Sequence, residues 1–337
     1  MAEKRPPRAI ARLLRAHESF VICGHMRPDA DCVGSQLALY HALTRLNRRT
    51  EMWLPDRVPN NCLFLPGSAG IHSGESPTHL SGAAIVLDTP RPERLGWIAG
   101  RVSSMPVVVN IDHHQSNTSW GTHNWVDPGA AATAELIYLL LGELRVTIDR
   151  AIATCLYAGI VTDTGRFCYS NTTPFTHRLA GELLQRGLSP EEVAEKIYAQ
   201  NRPEKMRFLG QVLDTLSIEE GGVLACLRIT AEMYEKSGAL PEEAEGFINY
   251  ARDLAGVKVA VLFEEAPDHK SVRVSLRSRG GHINVDEIAG RYGGGGHPAA
   301  AGAMIQGEPR CVEGRLLEDV RGAIASAREA ERIPGGE

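Results

Sequence analysis

Three short apolar runs in the N-terminal half of the chain end on side chains for which a hydrophobic core has no use. Residues 20–23 (Phe-Val-Ile-Cys) lead into Gly24-His25-Met26-Arg27-Pro28-Asp29-Ala30-Asp31, residues 83–87 (Ala-Ala-Ile-Val-Leu) end on Asp88, and residues 106–111 (Pro-Val-Val-Val-Asn-Ile) end on Asp112-His113-His114. Apolar runs of this length read as buried strands. Between them lie stripes at helical spacing, the first made by Val33, Leu37, Tyr40 and Leu43. Buried strands alternating with helices predict an α/β fold with a mostly parallel, doubly wound sheet. In such sheets ligands bind in the crevice beyond the carboxyl ends of the strands, which is where these acids and imidazoles fall.

Further along, residues 50–54 read as another strand, and Asp127-Pro128 as the cap and first turn of a helix buried through Leu136, Ile137, Leu140 and Leu141. A helix carrying Ile152, Leu156 and Ile160 ends at Val161-Thr162-Asp163-Thr164-Gly165. An acid at the negative end of a helix calls for a compensating positive charge, and a bound cation would supply it. Thr173-Pro174 and Ser189-Pro190-Glu191-Glu192 carry helix-start signals, followed by a stripe of Phe208, Leu209, Val212, Leu213 and Leu216. The expected division is a catalytic domain over 1–190, a helical connector over 191–220 and a smaller α/β domain over 221–330. In the last, strands at 223–229, 257–263 and 272–276 are expected, the latter two joined as a hairpin around Ala266-Pro267-Asp268-His269. A helix over 286–292 leads to Gly293-Gly294-Gly295-Gly296-His297, and only residues 334–337 read as disordered.

The net charge of −5 argues against a protein that coats long nucleic acid by charge alone, while leaving room for a small anionic substrate at a cationic site. Seven scattered cysteines without a C-x-x-C pair exclude a disulfide scaffold or a zinc ribbon and fit a reducing cytoplasm. No stretch reads as a signal peptide or a transmembrane helix, so no membrane partner is expected.

His25, Asp29, Asp31, Asp88, Asp112, His113, His114 and Asp163 all fall at the ends of expected elements. Hard oxygen donors mixed with a few imidazoles suit Mn²⁺ better than Zn²⁺, with Mg²⁺ and Co²⁺ as alternatives. Asp29 and Asp31, separated by one residue, can face different ions, and Asp88 can bridge them. Two ions about 3.5–4 Å apart clamp in-line displacement at phosphorus and acidify a water between them. On the 272–276 strand, Arg273, Ser275, Arg277 and Arg279 alternate onto one face suited to phosphate binding. The glycine run beside His297 allows backbone to approach a ligand closely.

The order G-H-x-x-P-D-x-D, an acid after a later strand, D-H-H and T-D-T-G resembles the DHH phosphoesterase superfamily, and Gly-Gly-Gly-His-Pro-Ala-Ala-Ala-Gly resembles its DHHA1 substrate domain. Nearly the whole chain is covered, and the length is similar to that of the bacterial nano-RNase and pAp phosphatase group. That resemblance implies a Rossmann-like DHH domain tethered to a smaller DHHA1 domain. It implies His25, Asp29 and Asp88 on one Mn²⁺, and Asp31, Asp88, His113 and Asp163 on the other. His114 would face the scissile phosphate and Asp112 would orient the histidines. Arg277, Ser275, Gly295, Gly296 and His297 would grip the substrate. The implied reaction is hydrolysis of short oligoribonucleotides to 5′-mononucleotides and of 3′-phosphoadenosine 5′-phosphate (pAp). Cyclic dinucleotides or the linear pApA and pGpG are alternative substrates, a non-catalytic nucleotide-binding module is a third reading, and a homodimer is one expected assembly.

Overall fold

In the computed structural model, which describes residues 7–74, 82–266 and 269–332, the N-terminal apolar runs form one parallel sheet. The chain divides into two units at Gln200, Met1–Gln200 and Asn201–Glu337. The segment expected as a connector is therefore shared between them. The turn residues Pro267 and Asp268 and the tail 334–337 lie outside the described residues.

The first unit contains α1 (Arg8–Ala16), β1 (Ser19–Cys23), α2 (Ala30–Arg45), β2 (Arg49–Leu54), β3 (Ile71–Ser73), β4 (Ala83–Leu87), α3 (Ala99–Ser103), β5 (Val108–Asp112), β6 (His123–Val126), α4 (Thr133–Leu144), α5 (Arg150–Asp163), α6 (Pro174–Leu184) and α7 (Pro190–Tyr198). The strand order is β3-β2-β1-β4-β5-β6, every neighbouring pair parallel. β1 and β4 are adjacent while the chain leaves them toward opposite edges, which creates the switch point where doubly wound sheets bind ligands. Alternate strand residues serve two cores. Phe20, Ile22, Ile85, Val109 and Ile111 pack with α1, α2, α4 and α5, and Val21, Cys23, Ala84, Val86 and Val108 pack with Leu95, Ile98 and Val102.

α2 and α5 meet through glycines. A Cβ on Gly34 would lie 2.3 Å from the Cys155 carbonyl oxygen, and one on Gly159 would lie 2.7 Å from Asp31 Oδ1. No larger residue permits that approach, and it sets the acid of α2 against the helix that ends at Asp163.

One expectation needs correction, and one strand was not expected. The helix expected to start at Asp127-Pro128 starts at Thr133, because Asp127 instead closes β6 and accepts a hydrogen bond from Gly129 N at 2.9 Å, forming a turn. β6 itself, His-Asn-Trp-Val at the sheet edge, buries only Trp125 and so lacked an apolar pattern.

The second unit contains α8 (Pro203–Leu213), β7 (Ser217–Glu219), β8 (Leu224–Ile229), α9 (Ala231–Ser237), α10 (Ile248–Arg252), β9 (Val259–Glu265), β10 (Ser271–Ser278), α11 (Val285–Gly290), β11 (Gly295–His297), β12 (Ala300–Gln306) and α12 (Pro309–Arg332). Its sheet runs β11-β12-β10-β9-β8-β7, with only β8 and β9 parallel. One face packs on α11 and α12, and the β8–β9 part of the other face packs on α8 and α10. The glycine run is not wholly a loop, since its end forms the edge strand β11.

Candidate active site

The loop after β1 and the first turn of α2 supply three candidates. His25 is buried, with Nδ1 2.8 Å from the Met26 carbonyl and 3.0 Å from Arg94 Nη2. Nδ1 can serve only one of these two neighbours; in the tautomer that donates to the Met26 carbonyl, and not the one that accepts from Arg94, Nε2 faces Asp88 Oδ2 at 3.3 Å and keeps a lone pair for a cation. Asp29 caps α2, its Oδ1 accepting from the amides of Asp31 and Cys32 at 3.0 Å. Asp31 sits inside the first turn, buried, and faces the start of α4. Thr133 N donates to its Oδ2 at 2.6 Å, Ala134 N to its Oδ1 at 2.9 Å and Ser35 Oγ to its Oδ1 at 3.2 Å. A helix N-terminus is a natural anion seat, so these amides offset part of the cost of burying this carboxylate.

Asp88 is central. It follows β4 with φ at 55°, a left-handed conformation that non-glycine residues rarely hold. Thr133 Oγ1 donates to its Oδ1 at 3.0 Å. The same oxygen lies 3.5 Å from His113 Nε2 and 3.4 Å from His114 Nδ1. His113 points Nδ1 at the Ala130 carbonyl, 3.3 Å away, which leaves Nε2 toward Asp163 Oδ2 at 3.3 Å and Asp31 Oδ2 at 4.0 Å.

Asp112 holds the turn that presents both histidines. Its Oδ1 accepts from His113 N at 2.8 Å, His114 N at 3.2 Å and His114 Nδ1 at 2.7 Å. Its Oδ2 accepts from Asn117 Nδ2 at 2.6 Å, and that amide also donates to Asn110 Oδ1 at 2.8 Å. Asp112 is fully buried, and its oxygens are taken up by these donors.

The charges are strongly perturbed. Burial, reinforced by Asp88, Asp163 and Asp29, pushes Asp31 well above the usual carboxylate range. Burial also lifts Asp163 to about 7, with His113 opposing and Asp88 adding to the rise. Asp88 resists its own burial and is held low by His25, His114 and His113. Burial disfavours a charged His114, yet Asp112 and Asp88 carry it up to about 9. Acids crowded until some prefer a proton are what a divalent cation relieves.

Three groups among the described residues have ligand atoms within 4.8 Å of one another: His25, Asp29 and Asp88; Asp31, His113 and Asp163; and Asp88, His113 and His114. Asp88 belongs to two of them, and the mixed oxygen and imidazole donors fit hard or borderline divalent ions.

In the second unit, the register across β10, β12 and β11 aligns Arg277 with Ala300 and His297, and Ser275 with Gly302 and Gly295. Paired residues share a face, so Arg277, Ser275, Gly295 and His297 lie on the side away from Val274, Leu276 and Ala301. Gly296 falls on the alternate position, its amide donating to Asp286 Oδ1 at 2.6 Å. Arg279 lies beyond the end of β10 and pairs with Asp253 at 3.8 Å, and Arg273 pairs with Glu264 at 3.5 Å. The four-residue stripe expected from alternation is thus shortened to Arg273, Ser275 and Arg277.

Sequence reasoning missed Thr133, Asn117 and Ser35. Thr133 reads as an ordinary helix residue because its partners, Asp31 and Asp88, are far away in the chain. Asn117 had a signal: it lies five residues beyond Asp112, in a turn that must return to the strand end.

The chain matches the family described as "DHH family, N-terminal domain" over residues 19–160 and the "DHHA1 domain" over residues 224–327. It is 36% identical over 325 residues to the bifunctional oligoribonuclease and PAP phosphatase NrnA of Thermus thermophilus, covering 95% of each chain. The protein of the same name from Bacillus subtilis is 31% identical, with 88% of this chain and 92% of that one covered. In fold it is similar to an exopolyphosphatase-related protein from Bacteroides fragilis, with a TM-score of 0.86, 23% identity and 96% of each chain covered.

Proposed function

This chain belongs to the DHH family of phosphoesterases, with a DHHA1 domain, and from that premise we propose that it hydrolyses short oligoribonucleotides to 5′-mononucleotides, and pAp to AMP, with two Mn²⁺ ions. The observation that carries the reading is that Asp88 groups with His25 and Asp29 on one side and with His113 on the other, while His113 also groups with Asp31 and Asp163, beyond the carboxyl ends of β1, β4 and β5. Relatives named as oligoribonuclease and PAP phosphatase support the substrate class.

His25, Asp29 and Asp88 would hold one ion, and Asp31, Asp88, His113 and Asp163 the other. Ions so held supply positive charge to the phosphoryl oxygens and lower the pKa of a water. The protein's own groups do the rest. Thr133 fixes Asp88 Oδ1, and the Met26 and Ala130 carbonyls fix the ring orientation of His25 and His113. Asp112 holds His114 by Nδ1, so a protonated Nε2 is free to donate to a phosphate oxygen or to the departing ribose oxygen. On the second unit, Arg277, Ser275, Gly295 and His297 share one face of the sheet, and that face is assigned to phosphate binding. The described residues include no helix long and apolar enough to cross a membrane. The free cysteines support a cytoplasmic location.

Purified protein with Mn²⁺ should convert pApA to AMP and release phosphate from pAp. Asp88→Ala and His113→Ala should each lower turnover by about a thousandfold or more. Unchanged turnover in either variant refutes the assignment.

A further inference from the structure

Beyond Asp163 the backbone does something costly. Gly165, Arg166 and Phe167 have φ values of 54°, 61° and 64°, so three successive residues lie in the left-handed region, two of them with side chains. L-residues visit that region singly, and a run survives only where its surroundings over-determine it.

Here they do. Arg166 N donates to the Val161 carbonyl at 2.8 Å, and Phe167 N to Thr164 Oγ1 at 3.1 Å. The Phe167 ring stacks on His177 at 5.2 Å, and the Arg166 guanidinium lies 4.0 Å from the centre of the Tyr198 ring. The following residues are tied back to the site, because Asn171 Nδ2 donates to the Asp163 carbonyl at 3.0 Å and Thr172 N to the Tyr169 carbonyl at 3.0 Å.

The result is the placement of Tyr169. A Cβ on Gly165 would lie 2.4 to 2.6 Å from Cζ, Cε1 and Cε2 of Tyr169, so the ring rests on the glycine, two residues from Asp163. One side of the ring is seated on backbone, yet the residue is 50% exposed. A core has no need of that ring, and folding gains little from it. An aromatic face fixed by backbone and open to solvent matches what stacks a nucleobase, whichever base is present.

We propose that Tyr169, held on Gly165 by the left-handed turn 165–167, is a stacking platform for one nucleobase of the substrate. This rests on the reading that the substrate is a short oligoribonucleotide. The platform adds affinity without touching the phosphate, so it acts on KM rather than kcat.

The test compares the wild-type protein, Tyr169→Ala and Tyr169→Phe on pApA and on two analogues, each lacking one base, with Mn²⁺ present throughout. Tyr169→Ala should raise KM for pApA about tenfold with kcat little changed, and Tyr169→Phe should recover most of that affinity. One of the two abasic analogues should show the same raised KM with the wild-type protein and no further rise with Tyr169→Ala. If the wild-type protein turns over pApA and the KM of a folded Tyr169→Ala is unchanged, the platform alone is overturned. If that variant does not fold, the wild-type protein decides, and equal KM for pApA and both abasic analogues overturns the platform. Absence of wild-type turnover overturns the substrate reading and the platform together.

Discussion

Thr133 and Asn117 show how much of the site depends on neutral side chains. Thr133 Oγ1 is buried against Asp88 Oδ1, an oxygen that also faces two imidazoles. Removing the hydroxyl leaves a buried carboxylate short of one donor, at a cost of about 1–3 kcal/mol. Thr133→Val should therefore lose stability by about that amount in urea unfolding and lower turnover about tenfold, while Thr133→Ser should restore both. Asn117 poses a sharper case, because its amide bonds Asp112, which in turn holds His114. Asn117→Ala should lower kcat about tenfold with KM nearly unchanged, since it loosens the turn by which Asp112 presents His113 and His114. Asn117→Asp should do worse than alanine, because it sets a second carboxylate against Asp112 Oδ2. Equal kinetics for the two variants would argue that Asn117 only fills space.

Helices and strands set the distances that these side chains use. Asp31 and Asp163 lie on α2 and α5, whose approach is limited by Gly34 and Gly159. A methyl at Gly34 meets backbone that cannot yield without moving a helix. Gly34→Ala should cost about 1–3 kcal/mol and also weaken cation binding, because spreading the helices separates Asp31 from Asp163. Calorimetric titration with Mn²⁺ checks the second effect, and unchanged affinity at reduced stability would show that helix spacing does not set the site. At this scale the sequence was most informative about central strands. β1, β4 and β5 are buried on both faces and therefore carry unbroken apolar runs, which led directly to His25, Asp88 and Asp112. It was least informative at the edges, where β6 and β3 bury few side chains and resemble loops. Missing β6 misplaced the start of α4, and with it the two amides that hold Asp31. Contacts of Thr133 and Ala134 with a residue about a hundred positions earlier leave no local pattern for periodicity to detect.

At the scale of the molecule, the two units have separate cores, and among the described residues every candidate metal group lies in the first. A ligand that binds only folded protein stabilises the part that binds it, by about 2.7 kcal/mol at a hundred times its Kd. Mn²⁺ should therefore raise the unfolding temperature of the first unit and leave that of the second unchanged. The pKa shifts add a pH dependence whose sign can be worked out. Asp31 is raised, Asp163 is raised from 3.8 to about 7, and His114 from 6.5 to about 9. A group whose folded pKa exceeds its unfolded value stabilises the fold below the unfolded value and loses that contribution as pH rises through the folded one. Asp88 is shifted the other way, so its contribution is present above the ordinary carboxylate range and is lost only in acid. Between about pH 4 and pH 9 the raised groups dominate, and chelator-treated protein should become less stable as pH rises. Bound Mn²⁺ favours the charged carboxylates and should cancel or reverse that fall, and Asp163→Asn should flatten it. Scanning calorimetry at pH 5, 7 and 9, with chelator and with Mn²⁺, reads both effects. A first-unit transition that rises with pH in chelator would show that the acids are not crowded as the geometry requires, and the case for cations at Asp88 would fall with it.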